Sequence, residues 1–151
     1  MKTKGFTLIE LLMVVALIAI LTGIVILAIN PTKKLADNRN AQRRLEVKAI
    51  LEAVSNYKAA NNGILPASIP LSTQCLTERA GEICKTGATS CANLVDLSVL
   101  SENKKYLLSM PFDPTASSTN GSGYRIVKDE NNHATVCASS AEAGAIVSVT
   151  Q

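Results

Sequence analysis

Aromatic and histidine side chains are scarce in this chain of 151 residues, which has no Trp, two Phe, three Tyr and one His. The single imidazole, His133, follows two asparagines in a stretch typical of a turn, so acid–base catalysis has little to work with. The chain has no phosphate-cradling glycine loop, nucleophile elbow or His-containing metal pair, and the Gly-Ser-Gly of residues 121–123 is too short to count. These absences predict that the chain is not an enzyme and has no cofactor or metal.

Polar residues are also nearly absent from one long stretch near the N-terminus. From Leu11 to Ile29 only Thr22 and Gly23 interrupt the apolar run, and a helix of that length spans roughly 28 Å, close to the hydrocarbon thickness of a bilayer. Glu10 precedes the run, at the edge of the hydrocarbon, where an unpaired carboxylate costs free energy and implies a partner. The stretch therefore predicts a membrane-spanning helix with one functional acid.

A short motif leads into this run. Residues 5–12 read Gly-Phe-Thr-Leu-Ile-Glu-Leu-Leu, which resembles the cleavage and N-methylation signal of type IV prepilins and pseudopilins. The resemblance implies that a membrane enzyme, the prepilin peptidase, cuts after Gly5 and that Phe6 becomes the methylated N-terminus. It also implies that Glu10 is retained for assembly, where the Phe6 amine of one subunit can neutralise the Glu10 of a neighbour inside an apolar filament core.

The resemblance carries expectations about location and partners. Lys2 and Lys4 before the span are matched by Lys33 and Lys34 after it, so the basic residues do not choose an orientation. The family implies a cytoplasmic leader and an exported C-terminal domain, hence a single-pass membrane precursor that joins a surface or extracytoplasmic filament. The expected partners are further copies of the chain, the prepilin peptidase, the inner-membrane assembly platform and membrane lipid.

Two other interpretations of the N-terminus fit less well. A secretory signal peptide usually has an apolar region of about 7 to 15 residues and a small-x-small cleavage site. Here the run is longer, and Ala16, Ala19 and Ala28 are never two residues apart. A plain signal anchor tolerates Lys2 and Lys4 but gives no reason for the motif that follows them.

Charge gives little reason to expect nucleic-acid binding. The formal net charge is +3, from 15 Lys and Arg against 12 Asp and Glu, and loss of the leader with its two lysines lowers it to +1. A basic cluster follows the apolar run, but it lacks the aromatic residues that stack on bases. Cations just beyond a span lie instead at lipid headgroups or pair with acids of adjacent subunits. The cluster comprises Lys33, Lys34, Arg39, Arg43 and Arg44.

Hydrophobic periodicity predicts an α+β fold, with a long N-terminal helix packed on a small antiparallel β-meander, and the resemblance implies that this layout is pilin-like. The expected segments are a leader (1–5), a transmembrane and assembly helix (6–30), the amphipathic half of the long helix (31–61), a connecting region with cysteines (62–110) and a β-sheet region (111–151). Proline removes a helical hydrogen bond, so a kink or local unwinding is expected near Pro31. Family members commonly loosen this helix on packing into a filament, and Gly23 and Pro31 are the candidate break positions here.

The amphipathic half of the helix predicts one buried face. Its apolar residues recur at near-helical spacing; they are Leu45, Val47, Ile50, Leu51, Val54 and Tyr57. The charged residues expected to stay solvated are Arg43, Arg44, Lys48, Glu52 and Lys58. The Asn-Asn-Gly of residues 61–63 is expected to end the helix, and Pro66 prevents its resumption.

Four cysteines, Cys75, Cys84, Cys91 and Cys137, all follow the apolar run. Their place beyond a membrane anchor suits an oxidising compartment and up to two disulfides, which small domains often need for stability. Zinc is less favoured because no Cys-x-x-Cys pair occurs. Sequence leaves three pairings open, and we expect Cys75 to pair with Cys84 and Cys91 with Cys137.

The C-terminal region alternates apolar and polar residues between turns. Residues 124–128, 134–138 and 145–149 read as an antiparallel meander with one face on the helix, and residues 62–66, 108–114 and 123–124 look like the layout of pilin and major pseudopilin domains. Major secretion pseudopilins often bind calcium after an Asp-Pro such as Asp113-Pro114. Because the Trp-Gly of that loop is missing and carboxylates are sparse, Asp113 and Asp129 are expected to cap turns instead.

These features predict a structural subunit of a type IV pilus-like filament. A pseudopilin of a type II secretion or competence (DNA uptake) system is the alternative within the same family. A monomeric membrane-anchored binding domain is the alternative from another class.

Overall fold

The computed structural model describes residues 5–76 and 81–151, so most of the expected leader lies outside the described residues. The chain divides into two compact units, Met1–Ala36 and Asp37–Gln151. The first contains an apolar helix and the start of the next helix. The second contains the rest of that helix and a small β-sheet.

The N-terminal unit is dominated by helix α1, Leu8–Ile29. It ends at Asn30, whose φ of 45° is left-handed, a conformation that asparagine tolerates better than most residues. Helix α2, Pro31–Ala60, begins immediately afterwards, and proline suits a first helical position because the N–H it lacks would have no partner there. The break predicted near Pro31 is therefore present at Asn30, whereas α1 continues through Gly23. Loosening of this segment in a filament stays a prediction.

In the second unit α2 ends where the Asn-Asn-Gly stretch predicts. Asn62 and Gly63 adopt left-handed φ values of 54° and 82°. The Gly63 N–H donates to the carbonyl of Lys58 at 2.8 Å, which closes the last turn of the helix. A short helix, α3, follows at Ser98–Ser101 and continues into a 3₁₀ turn, Glu102–Lys104.

The sheet has four strands in the order β1-β2-β3-β4, and each neighbouring pair is antiparallel. The strands are β1, Glu82–Cys84; β2, Gly121–Lys128; β3, Ala134–Ala138; and β4, Ser148–Thr150. The α+β fold with an antiparallel meander is confirmed. β1 was not predicted, because three residues are too few for alternation to be visible. β4 starts later than expected because Ala143 and Gly144 have positive φ and form a turn before it.

One face of the sheet and the inner face of α2 share a single hydrophobic core. Val47, Ile50 and Val54 of the helix belong to the same cluster as Tyr124 and Ile126 of β2. The connecting region contributes buried residues of its own to this core, among them Leu97 and Leu100. At the edge of the core Tyr106 lies edge-on to Tyr57 of α2, with ring centroids 5.7 Å apart. Edge-to-face packing is one of the two favoured arrangements of aromatic pairs.

Two positions of α2 contradict the predicted helix face. The helical spacing predicts that Leu45 lies in the core, but in the structure it is 71% exposed. Arg43, which is expected to be solvated, is fully buried. Arg43 lies four residues before Val47 and seven before Ile50, so it occupies the next position of the buried stripe. The prediction was wrong because it assigned residues to the face by polarity, while the fold provides an ionic partner for this arginine.

All four cysteines are in disulfides, but the pairing that we expected was wrong. Cys75 bonds to Cys137, and Cys84 bonds to Cys91. The segment before Cys75 runs beside β2, where the Ser72 N–H donates to the carbonyl of Lys128. This brings Cys75 to Cys137 on β3, and the two form a small buried cluster with Val127. Cys84 is the last residue of β1, and the loop that follows this strand brings Cys91 back next to Cys84.

Candidate functional site

Helix α1 begins with a complete capping box. The Thr7 hydroxyl accepts a hydrogen bond from the Glu10 N–H at 3.3 Å, while the Glu10 carboxylate accepts from the Thr7 N–H at 3.1 Å and from its hydroxyl at 3.0 Å. This reciprocal pairing satisfies donors that a helix start otherwise leaves free. Glu10 thus has a local role in helix initiation that was not foreseen.

The Gly5–Phe6 bond precedes the helix. Both residues are exposed and outside regular structure, and the Phe6 side chain is 83% exposed. A protease needs an extended, accessible segment, and a helical peptide bond would have to unfold first. The Gly5–Phe6 bond is therefore accessible and lies outside the helix.

Apolar side chains cover every side of α1. The segment Leu8–Ile26 has a mean hydropathy of 2.8 and none of it is buried within the chain. A helix that is apolar all round requires lipid or other apolar helices around it. Among the described residues no cation forms an ion pair with Glu10, so the acid enters this environment with only its contacts to Thr7.

An accessible Gly-Phe bond, an acid five residues after the glycine and a bare apolar helix occur together in this order. The chain carries a prokaryotic N-terminal methylation motif. The family model for this motif matches residues 1–26, and it is the signature of type IV prepilins and pseudopilins. No curated protein and no solved structure matches the chain.

The methylation motif confirms the resemblance that residues 5–12 carry, and it supports a type IV pilin-like or pseudopilin protein. Proteins of this kind are structural rather than catalytic. In proteins that carry it, this motif generally implies processing by prepilin peptidase and assembly into a filament. Together with the apolar helix α1, the motif indicates membrane anchoring before assembly.

The second unit contains a buried ion cluster that the sequence did not reveal. Arg43 and Asp113 are both fully buried and form a bidentate ion pair, with Nε–Oδ2 at 2.7 Å and Nη2–Oδ1 at 3.1 Å. The remaining guanidinium hydrogens go to Thr115 at 2.8 Å, Asn40 at 3.0 Å and Glu142 at 2.8 Å. All five N–H donors of Arg43 are therefore satisfied, which a buried guanidinium requires.

Glu142 extends the cluster to the surface. Its carboxylate accepts two hydrogen bonds from Arg39, each at 2.6 Å, besides the one from Arg43. Asn40 fixes the backbone of the same residue, since its amide donates to the Glu142 carbonyl and accepts from the Glu142 N–H. The cluster joins α2 to two distant loops. Its two cations and two anions balance one another, so none of these charges is left unpaired to bind a substrate.

The absence of a side chain at Gly123 leaves room for Asp113. Gly123 has a φ of 80°, and a Cβ at this position would lie 2.8 Å from the Cβ of Asp113. Asp113 also accepts from the N–H and hydroxyl of Thr115 at 2.8 and 2.7 Å. The predicted turn-capping role of Asp113 is confirmed, and Asp129 likewise caps its turn by accepting from the His133 N–H at 2.8 Å.

The surroundings of these groups shift their pKa values. Burial raises the pKa of Asp113, but hydrogen bonds from Arg43 and Thr115 outweigh it, so the pKa lies below its usual 3.8. The hydrogen bond to Asp113 raises the pKa of Arg43 in spite of its burial. Burial is the larger cause of a raised pKa of Tyr124, and the hydrogen bond that its hydroxyl donates to Glu46 is the second. The hydroxyl therefore stays protonated and remains a donor.

Acid is expected to destabilise the second unit below about pH 4.5. Hydrogen bonds from Arg39 and Arg43 lower the pKa of Glu142 from 4.5 to about 2. Because the folded pKa lies below the unfolded one, this carboxylate stabilises the fold above pH 4.5, and its contribution is lost as the pH falls towards 2. Asp113 acts in the same direction.

The pH dependence can be measured by urea unfolding of the full chain in detergent, followed by tyrosine fluorescence from pH 7 to 2. Glu142→Gln should have a lower urea midpoint than the wild type at pH 7 and a shallower decline between pH 4.5 and 2. Glu130→Gln, at an exposed carboxylate, should follow the wild-type curve. Parallel curves for Glu142→Gln and the wild type would contradict the assignment.

Proposed function

We propose that the chain is a structural subunit of a type IV pilus-like filament, cut after Gly5 and assembled through its N-terminal helix. The observation that carries this proposal is an apolar helix with no side covered by the rest of the chain, most of which lies within the matched methylation motif. The acid of this motif, Glu10, has no cationic partner among the described residues. Filament assembly satisfies both requirements, because neighbouring helices cover the apolar surface and bring a cation to the acid.

The cation would be the new N-terminus of a neighbouring subunit. Cleavage after Gly5 frees an amine on Phe6, one residue before the capping box, and methylation leaves that amine able to carry a charge. Glu10 accepts hydrogen bonds only from Thr7 in the described chain, so its carboxylate can accept more. Pairing within an apolar surrounding would fix the axial register between subunits, since either charge alone would be strongly unfavourable there.

The second unit has the properties of an exported filament surface. One disulfide ties the segment at Cys75 to β3, and a second closes the loop after β1. A neutralised ion cluster holds two further loops on α2. Structural disulfides persist in oxidising compartments and are rare in reducing ones. This unit would face outwards, while the N-terminal helices form the core of the filament.

Mass spectrometry of the N-terminus of sheared surface material tests this proposal. The mature chain should lack residues 1–5, begin at Phe6 and carry one added methyl group. Gly5→Leu should leave the leader attached and remove the chain from the sheared fraction. Gly23→Leu is a matched control, since a side chain at Gly23 meets open space, and it should be cut normally.

The outcome also separates the competing functions. Long surface fibres that contain the chain would favour a pilus subunit, whereas processed chain that stays in the envelope would favour a pseudopilin of a secretion or competence system. Recovery only as an uncut monomer that begins at Met1 would contradict assembly and favour an anchored binding domain.

A further inference from the structure

We propose that Lys33 and Lys34 bind the phosphate groups of anionic phospholipids where the apolar helix leaves the membrane. This inference depends on the membrane anchoring in the proposed function, but not on processing or filament assembly. The structure supports it because the basic cluster of residues 33–44 contains a neutralised pair of arginines and an unpaired pair of lysines, with Arg44 separate from both.

The pair of arginines is already neutralised inside the protein. Arg43 is fully buried against Asp113, and Arg39 is paired with Glu142. These two arginines cannot serve an external anion without breaking the ion cluster. Arg44 is exposed but lies further along α2, on a part of the helix that belongs to the second compact unit.

The pair of lysines is free and lies beside the span. Lys33 and Lys34 are both exposed, and within the part of the chain that the structure describes their side chains make no ion pair. They belong to the same compact unit as α1. The first turn of α2 contains no acidic residue, and the next acid along the chain is Asp37. Asp37 lies on the same helix, four residues after Lys33 and three after Lys34, but among the described residues it forms no ion pair with either lysine. Both ammonium groups are therefore available to an external anion.

Distance along the chain places these lysines at the headgroup layer. Lys33 follows the last residue of α1, Ile29, by four positions. The two steps across the break at Asn30 span at most about 7 Å and the two helical steps from Pro31 add about 3 Å, so Lys33 lies within about 10 Å of the end of α1. The polar layer on each side of a bilayer is about 5 to 7 Å thick. Lysine stems can also lie along apolar surface while their ammonium groups reach the phosphates. Both ammonium groups can thus reach the depth where lipid phosphates occur.

Lipid is the occupant because it is present from the moment the chain spans the membrane. A carboxylate on a second copy would be available only after assembly. Juxtamembrane lysines gain about a five-fold preference each for an anionic surface over a neutral one. We therefore expect the pair to bind anionic lipid more tightly than zwitterionic lipid, and we expect salt to weaken that preference.

Native mass spectrometry of the full chain in detergent, titrated with phosphatidylglycerol or phosphatidylcholine, tests this directly. The wild type should prefer phosphatidylglycerol by about ten-fold or more. Lys33→Gln/Lys34→Gln should lose most of this preference, while Lys33→Arg/Lys34→Arg should keep it. Arg44→Gln/Lys48→Gln is the matched control, since it removes the same charge from exposed positions further along α2, and it should also keep the preference.

Two results would overturn the proposal. One is an unchanged lipid preference in the Lys33→Gln/Lys34→Gln variant whose circular dichroism matches that of the wild type. The other is an equal loss in both glutamine variants, which would mean that overall charge, and not the lysine pair, attracts the lipid. The measurement needs no filament, so a failure of assembly in cells would leave it interpretable and would count only against the proposed function.

Discussion

Replacing Arg43 with Met is expected to lower the free energy of unfolding of the second unit by about 3 to 5 kcal/mol. The substitution keeps a long side chain in the helix but leaves the Asp113 carboxylate buried without its cation. An uncompensated buried charge is among the most destabilising changes a single substitution produces. Urea unfolding of the full chain in detergent, followed by tyrosine fluorescence, measures the effect, because all three tyrosines lie in this unit.

The neighbouring arginine provides a matched control. Arg44 is exposed on the same helix, so Arg44→Met should change the free energy of unfolding by no more than about 0.5 kcal/mol. The double variant Arg43→Met/Asp113→Leu should recover much of the loss, because apolar residues can replace a buried ion pair at little net change in stability. If Arg43→Met were as stable as Arg44→Met, the buried pair would have no role in holding the fold.

Glu10→Gln is expected to prevent incorporation of the chain into filaments while leaving it in the membrane and cut after Gly5. Glutamine can accept the same hydrogen bonds in a capping box as glutamate, so the start of α1 should be preserved. What the substitution removes is the negative charge that a neighbouring Phe6 amine would neutralise. The variant therefore separates the proposed ionic role of Glu10 from its observed role in capping the helix.

The amounts of chain in the sheared surface fraction and in the membrane fraction give the result. Glu10→Ala should fail to assemble in the same way as Glu10→Gln. Thr22→Val should assemble normally, since the Thr22 hydroxyl only bonds to the carbonyl of Ile18 in its own helix. A normal filament yield from Glu10→Gln would rule out the charge pairing between subunits, even if its processing were unchanged.

Properties that depend on neighbouring residues were predictable from the chain alone. The methylation motif and the span occupy one continuous stretch, so their order and spacing are visible without the fold. The end of α2 before the Asn-Asn-Gly of residues 61–63 and the turn-capping aspartates also follow from local backbone chemistry. The strands β2 and β3 were predictable because apolar alternation and turn residues define them.

The tertiary structure alone decided which distant residues meet. The pairing of Cys75 with Cys137 depends on a segment that runs beside β2, and the burial of Arg43 depends on Asp113, which lies 70 residues away. The helical period places Arg43 on the buried face, whereas its charge predicts exposure to solvent. Only the presence of Asp113 as an ionic partner decides that it is buried. Sequence encodes such contacts through the packing of the whole domain, so no local pattern reveals them.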